Sequence, residues 1–335
     1  MWGLENETPY AAERTWVRDK TGRHHWVVAV KGTYDIAPDG ALTLAEEQLP
    51  PTMAPEYFEG DGESSLRFES DLVLGKATTE VFANAQAYAP NGQPARSVPV
   101  QLKVGPIEKT LVVHGPRVYF NGARGLAMSA AEPFDKHPIR YEDAYGGSDF
   151  ADPDPRKQRM DMRNPIGKGV KARAADLLHT PAHRIEYPQG QPSKMPPAGF
   201  GAIPSYWSPR AEFAGTYDAA WVEHTKPLLP RDYDERFTLS APLDQRAPAY
   251  LQGGEPVHLV NLTPEGVLRT TVPKVDLVLT TRVNGRRETR AGTLVTIVLE
   301  PDDRRLMAVW HMSLLIPMTE IDFLVQTIIE ERAPT

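Results

Sequence analysis

The chain carries 32 prolines among its 335 residues, and no other feature restricts its folding as strongly. Proline fixes φ at about −65° and removes an amide donor, so it breaks helices and is confined to the edges, bulges and turns of sheets. A chain this rich in proline is expected to form strands joined by ordered connections rather than long helices. The stretch from Pro196 to Pro256, PPAGFGAIPSYWSPRAEFAGTYDAAWVEHTKPLLPRDYDERFTLSAPLDQRAPAYLQGGEP, concentrates Pro, Gly, Trp, Tyr and Asp. It holds no sustained apolar period of helix or strand. Flexible linkers lack so many aromatics, and loops beyond roughly 12–15 residues are functional or disordered as a rule. The stretch reads as an ordered, packed excursion.

The hydrophobic fraction of 41% and charged fraction of 24% are those of a soluble globular chain long enough to bury a core. A net charge of −7 gives no electrostatic case for nucleic acid. Without cysteine, disulfides, thiolate zinc sites and cysteine nucleophiles are excluded. The opening MWGLENETPYAAERTW lacks the basic start and apolar run of a secretory signal. No apolar run approaches the ~20 residues that span a bilayer. A cytoplasmic protein with no membrane partner is expected.

Strand signals fill both ends of the chain. Residues 24–36, HHWVVAVKGTYDI, are strongly β-prone, and Pro38-Asp39-Gly40 turns them into Leu42-Thr43-Leu44. PVQLKVG (99–105) and KTLVVHG (109–115) form a second pair, and Val118-Tyr119-Phe120 closes the β-rich residues 1–120. Residues 121–255 lose strand periodicity and crowd short motifs together, with at most a helical turn near Ala172–Leu178. From 256 to 335 strands return. PVHLVNL and VLRTTV flank Thr263-Pro264-Glu265-Gly266, and 275–283 pairs with 286–300 across Asn284-Gly285. Thr319 is placed to cap a final helix, whose Ile321, Leu324, Val325, Ile328 and Ile329 follow the i, i+3, i+4, i+7, i+8 spacing. The expected fold is a single domain, mainly β. It is an antiparallel β-sandwich or open barrel with a long ordered loop-rich middle region and one C-terminal amphipathic helix.

Chemistry finds weak footholds. His179 and His183 are spaced i, i+4, but Pro181 between them disfavours the helix that would aim both at one metal. His24 and His25, adjacent on a strand, point to opposite faces. Lys168 in NPIGKG lacks the earlier glycine and the following Ser or Thr of a phosphate loop, so its glycines read as turn formers. The basic run from Arg156 to Arg173 is diluted by Asp152, Asp154 and Asp161 and reads as a solvated face. Glu142, Asp143, Asp149, Asp218, Asp232 and Asp234 could furnish the carboxyl pair of a glycoside hydrolase, with Trp207 and Trp221 as sugar platforms. Carboxylates bonded to nearby backbone amides are the commoner arrangement. No Gly-x-Ser-x-Gly elbow is present. Neither cofactor nor metal is expected, and catalysis has no positive signal.

The ordered motifs themselves carry a resemblance. YEDAYGG (141–147), NPIGKG (164–169), PAGFGAI (197–203), Trp207 with Arg210, AGTYDAAW (214–221), PLLPRDYDERF (227–237), SAPLDQR (240–246) and LQGGEPVHLVNL (251–262) follow one another over just over a third of the chain. Together with NETPYAAER (6–14) and the 24–36 strand, they resemble the domain of unknown function 2169 family of bacterial type VI secretion. The resemblance implies a non-catalytic adaptor or chaperone that binds a secreted effector protein. It would promote loading onto the spike, built from a valine–glycine-repeat protein (VgrG) and its PAAR tip. It supplies no catalytic residues. On residue type alone, Tyr206, Trp207, Tyr217, Trp221, Tyr233 and Phe237 could anchor a partner, with Arg210, Arg231 and Arg236 as polar contacts, since aromatics and Arg dominate interface hot spots. The same rings could instead pack the loops onto the sheets. A carbohydrate-active hydrolase and a structural component of the spike stand as alternatives.

Overall fold

In the computed structural model, described over residues 2–332 apart from Asp61, three sheets share one apolar core. The largest has six strands, in the order Ala11–Arg18, His24–Ile36, Arg305–Ile316, Thr293–Glu300 and Glu80–Ala83, with Leu42–Leu44 beside His24–Ile36. A five-stranded sheet runs Ile185–Glu186, Ile107–His114, Ser97–Val104, Pro256–Val260 and Val267–Thr271. A four-stranded sheet runs Gly3–Asn6, Leu324–Glu331, Leu277–Val283 and Arg286–Ala291. The mainly β, mostly antiparallel architecture expected from the sequence is present. Parallel pairing joins Gly3–Asn6 to Leu324–Glu331, Glu80–Ala83 to Thr293–Glu300, and Tyr145-Gly146 to Lys168-Gly169.

The centre of the large sheet is the pair His24–Ile36 and Arg305–Ile316, in register from Asp35 opposite Arg305 to His24 opposite Ile316. One face of this pair carries Trp26, Val28, Val30, Trp310 and Met312 into the main core. There they join Val100, Leu102 and Leu111 of the five-stranded sheet and Leu279 and Ile329 of the four-stranded one. Each such side chain contributes roughly 1.5–3 kcal/mol by leaving water. The other face, bearing Ala29, Lys31, Val309 and His311 beside Val295 of the neighbouring Thr293–Glu300 strand, is buried as well. Connections from the first and middle thirds of the chain cover it. Burial on both sides is why HHWVVAVKGTYDI reads as a nearly unbroken apolar run rather than an alternating one.

Turn chemistry fixes the hairpins where the sequence places them. Asn284 and Gly285 adopt φ of 46° and 73° between Leu277–Val283 and Arg286–Ala291, the left-handed pair that matches strand twist. Gly40 has φ +89°, and a Cβ there would sit 1.9 Å from the Arg269 carbonyl oxygen. Only glycine lets this turn lie on the Val267–Thr271 strand.

Three expectations change. Residues 286–300 are two strands: after Ala291 the chain leaves the four-stranded sheet at Gly292 and continues in the six-stranded one. A Cβ at Gly292 would already touch Leu277 at 3.0 Å and Trp310 at 3.4 Å, so the crossing needs a residue without one. Past Asn121 the chain still forms a short hairpin, Tyr119–Gly122 with Gly125–Met128. The terminal amphipathic helix is absent: Met318–Phe323 is a 3-10 turn, Thr319 caps no α-helix, and Leu324–Glu331 is a strand. Its buried positions are Leu324, Thr327 and Ile329, while Val325 is exposed. The β-branched Val, Thr and Ile of this segment favour a strand with one face on the core. Pairing on both edges, to Gly3–Asn6 and Leu277–Val283, overrides the helical spacing. The one α-helix among the described residues is Ala219–His224, and no helix there is long and apolar enough to cross a membrane.

Candidate functional site

The loop-rich middle region lies on the second face of the six-stranded sheet and leaves a groove of about 910 Å³ beside it. Val17, His25 and Ser313 of the sheet line it, the 69–77 connection contributes Leu72, Val73 and Leu74, and the 205–238 segment contributes Arg210, Tyr233, Arg236 and Phe237. Apolar and aromatic side chains line it together with charged ones, among them the buried Asp19, Lys76 and Arg210, a mixed lining that suits a binding cleft.

Buried ion pairs hold the walls. The Lys31 ammonium donates to Asp71 at 3.3 Å, and Asp71 also accepts the Thr52 amide at 2.8 Å. Lys76 pairs with Glu80 at 2.7 Å and donates to Thr296 at 2.9 Å, while Glu80 accepts the Ala241 amide at 2.6 Å. These links tie the 52–76 and 241 connections to strands of the large sheet. Burial, and then the Lys76 charge, lower the His311 pKa to about 4, so its imidazole stays neutral beneath them. Burial alone would raise the Asp19 pKa, but hydrogen bonds from Thr21, His25 and Arg23 outweigh it and hold that carboxylate well below its ordinary range. Composition did not reveal this layer, although a lysine inside VVAVKGTYDI is itself a signal of a buried partner.

The nine partner-contact candidates separate. Trp207 is fully buried, edge-on to Tyr141 at 5.5 Å in a cluster with Ile203. It is a packing residue, because its neighbours Pro204 and Ala211 turn the chain inward around it. Arg210 is also buried: it pairs with Glu69 and donates to the carbonyls of Phe237 at 2.9 Å and Ile203 at 2.8 Å. It is therefore a fixed part of the groove wall, with its guanidinium already engaged. Tyr233 and Phe237 stack edge-to-face at 5.9 Å on the groove, with the exposed Arg236 beside them, paired to Asp234 and lying 4.2 Å from the Phe213 ring. Tyr206 is exposed outside the groove. Tyr217, just before the short helix, meets Trp221 on it at 4.8 Å, where Asp218 caps the Trp221 amide at 2.8 Å and the Trp221 indole donates to the Leu228 carbonyl. Arg231 is exposed beyond that helix.

The six loop carboxylates do not form a free acid pair. Glu142 accepts the Ser65 amide at 2.8 Å, Asp149 the Ala172 amide at 3.0 Å, and Asp232 the Thr216 amide at 3.0 Å. Asp218 and Asp234 cap local turns, and Asp143 accepts from His137 and Lys168. Each is engaged locally, as loop carboxylates usually are. The helix needed to bring His179 and His183 together is also missing, since the 3-10 turn ends at Leu177 and His179 takes φ 65°.

Most of the ordered motifs are joints. The Asn164 amide donates to the carbonyls of Tyr141 at 2.8 Å and Tyr145 at 3.1 Å, fastening NPIGKG to YEDAYGG. Gly199 lies against the Tyr141 ring, where a Cβ would fall 2.6 Å from a ring carbon. Gln245 of SAPLDQR donates to Val81 at 2.7 Å and Phe200 at 2.8 Å. No curated protein and no solved structure matches the chain. A protein-family profile does match it, over residues 21–311, which takes in every one of these joints and most of the groove's lining, though not Val17 or Ser313. The chain belongs to the family described as uncharacterized protein conserved in bacteria (DUF2169).

Proposed function

We propose that the protein is a non-catalytic, cytoplasmic adaptor that holds one secreted effector and presents it to the VgrG and PAAR components of a type VI secretion spike. The observation that carries this reading is the groove of about 910 Å³, with Tyr233 and Phe237 on an otherwise fixed scaffold. Rigid aromatic anchors in a concave, largely apolar surface are what a protein partner's side chains dock into. Family membership and the order of its motifs give the reading its biological setting. The client contacts are Tyr233, Arg236 and Phe237, with Tyr206, Tyr217, Trp221 and Arg231 forming an outer flank. Trp207 and Arg210 act only through the fold.

The test is co-purification with the toxin and spike proteins encoded beside this gene, followed by secretion assays in a strain lacking it. Loss of one effector's delivery, with the secretion machinery still firing, is the expected result. Normal delivery of that effector, or failure of every neighbouring toxin and spike protein to bind, overturns the reading.

A further inference from the structure

A second cavity, of about 420 Å³, shares no lining residue with the groove. Arg117 and Val118 stand just after the Ile107–His114 strand, and Arg184 just before Ile185–Glu186; Asp143 and Lys168 come from the fastened motif pair. Three cationic side chains thus converge on one half-open cavity.

Lys168 donates to Asp143, whose other oxygen takes His137 Nε2 at 2.9 Å. Burial would raise the Asp143 pKa, but these two donors outweigh it and hold it at about 2. Arg117 donates its Nε to the His183 carbonyl at 2.9 Å and pairs with Glu186. Arg184 differs. Its Nε donates to the His114 carbonyl at 2.9 Å and its guanidinium lies 5.6 Å from the Phe134 ring centre, but it enters no ion pair among the described residues. It is half-buried, and burial lowers its pKa, with the Asp143 charge acting against that and the Arg117 charge adding to it. A partly desolvated guanidinium with no carboxylate at ion-pair distance keeps N–H donors that an added anion would engage.

We propose that this cavity binds a carboxylate, held in the fork of Arg184, with its hydrocarbon stem against Val118 and Ala182. A guanidinium presents parallel N–H groups that match two carboxylate oxygens. Lys168 and Arg117 already face Asp143 and Glu186, which leaves Arg184 as the cation of the lining without a carboxylate at ion-pair distance among the described residues. A phosphate dianion would bring excess negative charge next to Asp143 and the exposed rim residue Glu132. Pro116, Val118, Pro181 and Ala182 supply the apolar lining that suits a short alkyl stem, as in a glutamate side chain or a small organic acid.

Titration of the full chain, followed by NMR, tests this with four probes: N-acetylglutamate methylamide, its glutamine counterpart, a glutamate-containing pentapeptide and inorganic phosphate. The expected result is saturable binding of the glutamate derivative with at least about tenfold preference over the glutamine one, and weaker binding of phosphate. Tighter binding of the pentapeptide assigns the carboxylate to a polypeptide; equal or weaker binding assigns it to a small acid. Arg184→Gln should abolish the signal and Arg184→Lys weaken it about tenfold. Val118→Asp, at a partly exposed position of the lining, should repel the ligand if Arg184→Gln does not fold. Equal binding of the glutamine derivative, tighter binding of phosphate, or an unchanged titration in Val118→Asp overturns the assignment. Because the two cavities share no residue, that outcome leaves the groove reading standing.

Discussion

Lys109 and Gln245 meet in the interior with the ammonium 2.9 Å from the amide oxygen. Lys109 comes from the five-stranded sheet, and the Gln245 amide nitrogen in turn serves the carbonyls of Val81 and Phe200. One side chain therefore ties that sheet, an edge strand of the large sheet and the PAGFGAI motif together.

Replacing Gln245 with Leu strips an acceptor from a buried ammonium and donors from two buried carbonyls. A loss of about 3 kcal/mol or more in unfolding free energy is expected from urea titration. Adding Lys109→Met should recover part of that loss, since the ammonium is then gone as well. A double variant as unstable as the sum of the singles would show that the two side chains are not coupled.

Lys109 also sets a pH dependence. Burial lowers its pKa to about 8, against the opposing charge of Asp244, whereas a lysine in an unfolded chain titrates at about 10.4. Between those values the unfolded chain binds more protons, so stability rises with pH. The penalty is fully present below about pH 8 and fades as pH climbs towards the unfolded value. From pH 7 to 9.5 the wild type should gain about 2 kcal/mol relative to Lys109→Met. Parallel profiles would mean that the lysine is solvated.

The final strand and a final helix bury different residues. The strand hides Thr327 and Ile329 and exposes Val325, whereas a helix built on the apolar spacing would bury Val325. Ile329→Ala should cost about 2–4 kcal/mol, and Val325→Asp should stay within about 0.5 kcal/mol of wild type. Thermal unfolding of the two variants checks the contrast, and a severe loss from Val325→Asp would count for the helix.

Aromatic substitutions should divide by burial. Trp207→Ala is expected to cost about 3–5 kcal/mol through its cavity. Tyr233→Ala and Phe237→Ala together should cost little stability but weaken co-purification of the neighbouring effector at least about tenfold. Intact retention by that double variant would move the client surface elsewhere.

The strands were legible where turns punctuate them: Pro38-Asp39-Gly40, Asn284-Gly285 and Thr263–Gly266 stand where hairpins form. The last strand was not, because Ile321, Leu324, Val325, Ile328 and Ile329 satisfy a helical period. Only its long-range partners, such as Trp26 Nε1 donating to Thr327 at 2.9 Å across 301 residues of chain, decide the matter. Residue type alone also could not separate Trp207 and Arg210, which are buried, from Tyr233 and Phe237, which are half-exposed on the groove. Arg184 was invisible for a related reason: its distinction is the ion pair it lacks, a property of three-dimensional neighbours.

The buried pairs Lys31–Asp71, Lys76–Glu80 and Arg210–Glu69 have a thermodynamic corollary. They freeze the groove's walls during folding, so the conformational entropy of those loops is surrendered before any partner arrives. A guest entering the groove then orders only itself. Its dissociation rate, more than its arrival, should record how well it fits.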